Sequence, residues 1–339
     1  MAVIKDVANL AGVSISTVSK YFNNPNGLSE PYRSKVAAAV EELNFKPNAI
    51  ARGLRTKRTN TIALIVPDIT NTFYVEVYDS VRLAAISQGY MTQLYTTEEN
   101  FNMLNELVNQ LSSSKIDGMI LCFLDEDDTI TLLDRTQATV PVALLSWDSD
   151  TKFNSAVLDL TKTMYQATSY LIQRGHSKIA YVNGRAGSRI SFQKKGGYLK
   201  AMAGAGLTVP ENYIYSGNYS YRTGYQAAKQ FMQYPDPPTA IVAANDIIAI
   251  GCCKYLHLNG YRIPNDVSVV GMDGIQLAKI YDPSITTMAT PISAMGSEAV
   301  NLLINKINHP TSKNRQILFE SKLTVGRSTD ENAPLYLEF

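Results

Sequence analysis

From Thr61 onward, short apolar runs alternate with amphipathic stretches, and that alternation limits the possible folds more than any other feature of the chain. TIALIVPD, GYMTQLY, GMILC, VPVALLS, KIAYVNG, TAIVAAN and VSVVGMD have strand length and are rich in branched or aromatic residues. Helical patterns such as Tyr74–Ser87 and Met103–Ser112 lie between several of them. A strand that is apolar throughout must be covered on both faces, so the pattern predicts an α/β fold with parallel sheets. The roughly 280 residues involved exceed what one core usually holds, and two lobes are expected.

The first sixty residues have a different texture. IKDVANLAGVSISTVSKYF contains two apolar sets at helical spacing, Ile4/Val7/Ala8/Ala11 and Ile15/Val18/Phe22, with Gly12 between them. This predicts two helices and a tight turn. Ser14 is placed to cap the second helix, and Asn23-Asn24-Pro25-Asn26-Gly27 cannot continue it. Ser29 opens a third, with the stripe Val36, Ala39, Val40, Leu43. Burying Val18 against Val7 and Val40 turns Ser16, Ser19 and Lys20 outward and leaves Ile15 at the exposed end. Such a face suits a major groove, and a solvated side of a small bundle is the alternative on pattern alone.

After Phe45-Lys46-Pro47-Asn48, an extended break, Ala49–Leu54 spans barely more than one helical turn. That is too short to be stable alone, and Gly53 weakens it further. Arg52, Arg55, Lys57 and Arg58 beside the apolar Leu54 make sense if DNA and a partner subunit order this segment.

The charge is segregated in the same way. Residues 1–60 carry nine Lys or Arg against four Asp or Glu, and the remainder 22 against 26. A basic end on a nearly neutral chain points to a local anionic partner. No run approaches the ~18 apolar residues of a membrane span, and the N-terminus lacks the apolar core of a signal peptide, so a cytoplasmic chain without membrane contact is expected. Cys122, Cys252 and Cys253 have no metal-ligand spacing, and His176, His257 and His309 are scattered, so neither a metal nor a cofactor is expected.

IKDVANLAGVSISTVSKYFN, the later EELNFKPNAIARGLR and the total length resemble the lactose/galactose repressor (LacI/GalR) family over essentially the whole chain. VPDITNTFY, LIQRGHSKIAYVNG, AANDIIAIG, IPNDVSVVGMD and DPSITTM anchor the likeness in the larger part. The resemblance implies a homodimeric transcription regulator, a repressor, on a palindromic operator. Its second helix would lie in the major groove, with Ile15, Ser16 and Lys20 at base-reading positions and Thr17 among the DNA contacts. Leu54 matches the family's minor-groove wedge and Arg55 its neighbour, and such wedging unstacks and kinks the duplex. Val3 departs from the Thr or Ser that commonly caps the first helix, a loss of about 1 kcal/mol. The short tail LYLEF has no heptad repeat, so a dimer is expected rather than a coiled-coil tetramer.

The implied domains are a helix-turn-helix headpiece over 1–46, a hinge over 47–59 and an effector and dimerisation domain over 60–339. Within the last, one lobe would take about 60–160 and 290–322, the other about 161–289 and 323–339. In open α/β sheets ligands bind beyond the carboxyl ends of strands. Those ends carry Asp68 and Asn71-Thr72-Phe73, Ser146-Trp147-Asp148, Asn245-Asp246 and Asp273, groups able to chelate paired hydroxyls or stack on a sugar, or simply to form turns. The resemblance implies a periplasmic-binding-protein-like site lined by Phe73, Ser146, Trp147, Ser188, Lys194, Tyr219, Asn245 and Asp273, holding a sugar or sugar derivative. Many members carry Arg where this chain has Lys194, and Lys195 is the alternative cation.

The rival classes are an α/β enzyme acting on sugars or nucleotides and a solute-binding receptor. The chain has no G-x-G-x-x-G, G-x-x-x-x-G-K-[ST] or G-x-S-x-G, and no nucleophile–base pairing. Gly184-Arg185-Ala186-Gly187-Ser188 follows a strand with the wrong spacing for a dinucleotide loop. An exported receptor would need a signal peptide and would leave the basic headpiece without a purpose. No catalytic residue is assigned.

Overall fold

The computed structural model describes residues 2–24, 27–45, 58–98, 100–113, 116–122, 132–133, 136, 139–146 and 152–334. The chain divides into two compact units, Met1–Thr59 and Asn60–Phe339.

In the first unit, α1 (Ile4–Ala11), α2 (Ile15–Asn23) and α3 (Glu30–Glu42) close on Val7, Ala8, Ala11, Val18, Val36 and Ala39. Gly12 ends α1 at φ +64°, a conformation that costs glycine little, and the turn brings Val13 N–H onto the Ala8 carbonyl at 3.0 Å. Ser14 Oγ then accepts from Thr17 N–H at 3.1 Å and starts α2. Val3 has no oxygen to accept from the first turn of α1. Its own N–H donates to Asp6 Oδ2 at 2.8 Å, so half of a capping box survives and offsets part of the missing cap.

The second unit contains two six-stranded sheets. β1 (Thr61–Val66), β2 (Met91–Thr96), β3 (Gly118–Cys122), β4 (Val142–Ser146) and β5 (Asn154–Leu158) join β11 (Gln316–Phe319) in one, ordered β11-β5-β4-β3-β1-β2 and parallel throughout. β6 (Ile179–Asn183), β7 (Ile214–Ser216), β8 (Ala240–Ala243), β9 (Ser268–Asp273) and β10 (Thr286–Ala289) join β12 (Lys322–Thr324) in the other, ordered β12-β10-β9-β8-β6-β7. Only β12, against β10, runs antiparallel. The chain passes between the sheets after β5, after β10 and again between β11 and β12.

Period-two alternation explains the burial. Ala63 and Ile65 of β1 face one core with Leu104, Val108 and Leu111 of α5 (Phe101–Ser113). Ile62, Leu64 and Val66 face the other, with Phe73, Val77, Val81 and Ala85 of α4 (Thr72–Ser87) and Val300 and Leu303 of α11 (Ile292–Asn308). The second sheet is covered by α6 (Leu160–Gln173), α7 (Arg189–Gly204), α8 (Tyr221–Phe231) and α9 (Asp246–Leu258), with the short α10 (Gln276–Ile280) after β9. Strands β5, β7, β10, β11 and β12 escape the sequence reading. β5 begins with Asn154 and Ser155, both buried, and Asn154 Oδ1 is satisfied by Arg315 N–H at 2.8 Å, a partner 161 residues away.

Candidate ligand cavity and nucleic-acid interface

On α2, Ile15, Ser16 and Lys20 are exposed, with Ile15 47% accessible, while Val18 is fully buried. Thr17 is half-buried, and its hydroxyl lies 2.8 Å from Ser14 Oγ, which also lies 2.7 Å from Ser16 Oγ. The cap thus fixes where both hydroxyls sit. The result is a short helix end offering a branched apolar side chain, hydroxyls and one flexible ammonium, groups able to touch a thymine methyl and base-edge or phosphate acceptors. Leu54, Arg55 and the rest of the hinge up to residue 57 lie outside the described residues.

In the second unit, a cavity of about 670 Å³ lies where the carboxyl ends of strands from both sheets meet. Asp68 and Asn71 follow β1, Phe73 and Tyr74 open α4, and Glu98 follows β2. The other sheet contributes Ile190 and Lys194 of α7, Asn218, Tyr219 and Ser220 after β7, Tyr221 of α8, Asn245 and Ile247 at the start of α9, and Asp273 at the end of β9. Of the eight residues expected to line the effector site, five are thereby gathered: Phe73, Lys194, Tyr219, Asn245 and Asp273. One is not, and two have side chains outside the described residues. Ser188 is absent from the described lining, and its Oγ accepts from Ser191 N–H at 3.0 Å as the cap of α7. Ser146 ends β4, but its side chain and all of Trp147 lie outside the described residues.

Lys194 is the buried cation, 3% exposed, whereas Lys195 is partly open to solvent. Its Nζ donates to the Ala244 carbonyl at 2.8 Å and stands 5.1 Å from the centre of the Tyr219 ring. Burial pulls the Lys194 ammonium below its ordinary range, opposed by the charges of Asp273 and Asp246. The Tyr219 hydroxyl lies 3.0 Å from Ser191 Oγ, and the ring covers Gly184 so closely that a Cβ there would come within 2.1 Å of it.

Asp273 is 6% exposed and holds φ at +115°. Burial pushes its carboxyl up to about 7, with the Lys194 charge lowering it and the Glu76 charge raising it. Asp246, paired with Asn245 in the sequence reading, does not line the cavity. It is fully buried, and its Oδ2 accepts from Gly274 N–H at 2.7 Å and Ile275 N–H at 3.0 Å. Burial, then the like charge of Asp273, holds its carboxyl well above the usual range. Asp246 is thus the brace for the turn that presents Asp273, a role that two adjacent polar letters do not reveal. Tyr74, Glu98, Asn218 and Tyr221 were also missed from the lining. Their signal was position after a strand, the same one that found Asp68 and Phe73.

Acceptor-rich walls, amides and aromatic faces suit a polar ligand of modest size. Among the described residues, no group of three or more His, Cys, Asp or Glu is arranged to hold a metal ion, and no helix is long and apolar enough to cross a membrane.

Residues 3–48 match the family described as bacterial regulatory proteins, lacI family, and residues 59–325 match periplasmic binding proteins and the sugar binding domain of the LacI family. The HTH-type transcriptional repressor PurR of Vibrio atlanticus is 35% identical over 331 residues, covering 97% of this chain and 98% of that protein. The ribose operon repressor of Escherichia coli is 34% identical over 324 residues, covering 94% and 96%. Among solved structures, the lac repressor dimer bound to operator and the anti-inducer ONPF matches with TM-score 0.86 at 25% identity, over 97% of this chain and 99% of that one. A complex of the transcriptional regulator CelR with cellobiose matches with TM-score 0.72 at 28% identity, over 97% and 100%.

Proposed function

Because the chain belongs to the lacI family of bacterial regulatory proteins, we propose that a sugar-like effector bound between its two sheets, against Asp273 and Lys194, controls how tightly the headpiece holds a palindromic operator. The protein is a DNA-binding transcription regulator of repressor type, and members of this kind act as dimers. The cavity is a sensor rather than a catalytic site, and the protein acts where the chromosome is, in the cytoplasm. Ile15, Ser16, Thr17 and Lys20 read the major groove, and Leu54 and Arg55 act in the minor groove.

One observation carries the effector reading: a buried carboxylate and a buried ammonium face a cavity to which both sheets contribute walls. A ligand spanning that space touches both sheets and so stabilises one arrangement of them over another. Linkage then requires that DNA change effector affinity by the same factor with which effector changes DNA affinity, typically 1–3 kcal/mol. The chemistry of the wall supports a polyhydroxylated ligand, since carboxylates accept from hydroxyls and aromatic faces stack on a sugar ring.

The test is Asp273→Asn. Folding and operator binding should persist while the effector response weakens sharply, because a charged acceptor is lost from a desolvated site. A mutant whose melting temperature and operator binding fall together would make Asp273 a structural residue instead. Wild-type response to the cognate ligand would remove it from the site.

A further inference from the structure

Resting on the effector reading above, we propose that the ligand of this cavity is uncharged and donates several O–H hydrogen bonds, an unphosphorylated sugar or polyol, and that Asp68, Glu98 and Asp273 exclude phosphorylated and acidic relatives. The described wall holds those three carboxyl groups against one ammonium, Lys194. That ammonium is already committed, to the Ala244 carbonyl at 2.8 Å and to the charges of Asp273 and Asp246. A phosphate or carboxylate brings only acceptors and meets a wall that is itself mostly acceptor. Burying such an anion without a partner cation is costly.

Helix ends provide the counterweight. Among the described residues, four helices, α4, α7, α8 and α9, begin near the cavity, and each contributes roughly half a positive charge at its start. Their sum of about two charges roughly cancels the carboxyl excess of the described wall, leaving no surplus there for an anion. Nor are the first-turn amides simply on offer: Asn71, Ser188, Ser220 and Asn245 each accept from an N–H of the helix they start. The same cancellation denies a net attraction to cations. What remains is a wall of acceptors matched to hydroxyl donors.

The experiment is calorimetric titration of the full-length protein with matched sets: neutral sugars and polyols from ribose and glucose to cellobiose, their phosphates and acids, amino sugars, and adenine and guanine. Any sugar that binds is expected to bind at least about tenfold more tightly than its phosphate or acid, because the anion is buried without a partner cation. Glu98→Gln and Asp68→Asn are expected to narrow that gap. A phosphate, acid or amino sugar that binds as tightly as its neutral parent overturns the proposal, as does binding confined to the nucleobases. A gap unchanged in both variants removes the carboxylates as its cause. If nothing in the panel binds, the effector reading itself fails and takes this inference with it.

Discussion

The backbone N–H of Gln276 donates to Glu76 Oε1 at 2.8 Å, a hydrogen bond between α10, which follows β9, and α4, which covers the other sheet. The three consecutive amides after Asp273 are therefore held from two sides. Gly274 and Ile275 donate to Asp246 at the start of α9, which covers their own sheet, and Gln276 donates across to Glu76. A ligand that moves Asp273 pulls on a turn that both sheets grip.

Glu76→Ala should loosen that grip. Removing a partly buried charged acceptor is expected to lower stability by about 1 kcal/mol and to weaken effector affinity several-fold, while Glu76→Gln, which keeps an acceptor, restores most of both. Thermal melts and titrations on the two variants check this. Equal behaviour of Ala and Gln would mean that the charge, not the hydrogen bond, matters.

Asp273 gives a pH signature. Its carboxyl is raised in the folded chain from an ordinary 3.8 to about 7, so between those values the folded state binds more protons than the unfolded one. Its contribution to stability is then fullest below about pH 4 and is lost as pH rises through 7. Effector affinity should move oppositely, rising from pH 6 to pH 8 as the ionised acceptor forms. Asp273→Asn should flatten both profiles, and a mutant that keeps the slope of either would assign it to another group.

Gly184→Ala places a methyl where the Tyr219 ring lies, 2.1 Å from its nearest atom. The ring must move, and the Ser191–Tyr219 contact at 3.0 Å and the Lys194 stacking go with it. Effector affinity should fall about tenfold or more, with operator binding in the absence of effector little changed. Tyrosine fluorescence and titration report the two effects separately.

Lys20→Ala removes the one long cation that the sequence places on the α2 face beside Ile15 and Ser16. A cost of roughly 1–3 kcal/mol with relaxed preference at one operator position is expected for a base contact. Binding measured across a set of operator variants distinguishes this from a phosphate contact, for which the loss would be uniform and the salt dependence shallower.

Local patterns carried much of this protein. The helical sets Ile4/Val7/Ala8/Ala11 and Ile15/Val18/Phe22, broken at Gly12, determine the headpiece, because only a helix–turn–helix buries Val7 and Val18 together. Apolar runs such as Thr61–Val66 and Ser268–Asp273 determine covered parallel strands, and position after those strands points to Phe73, Asn245 and Asp273. The motifs sufficed for the family. Tertiary structure decided the rest, since it depends on groups distant in sequence. Whether Lys194 or Lys195 faces the cavity follows from which side of α7 packs inward, the side that buries Ser191, Lys194 and Tyr198, and the raised carboxyl of Asp273 follows first from its burial, then from the balance between Lys194, 79 positions away, which lowers it, and Glu76, on another sheet's helix, which raises it. Ser188 and Asp246 looked like ligand groups by position, yet became a helix cap and a turn brace because backbone amides reached them first. A residue's type limits what it can donate or accept, and only its folded neighbours decide what is left for a ligand.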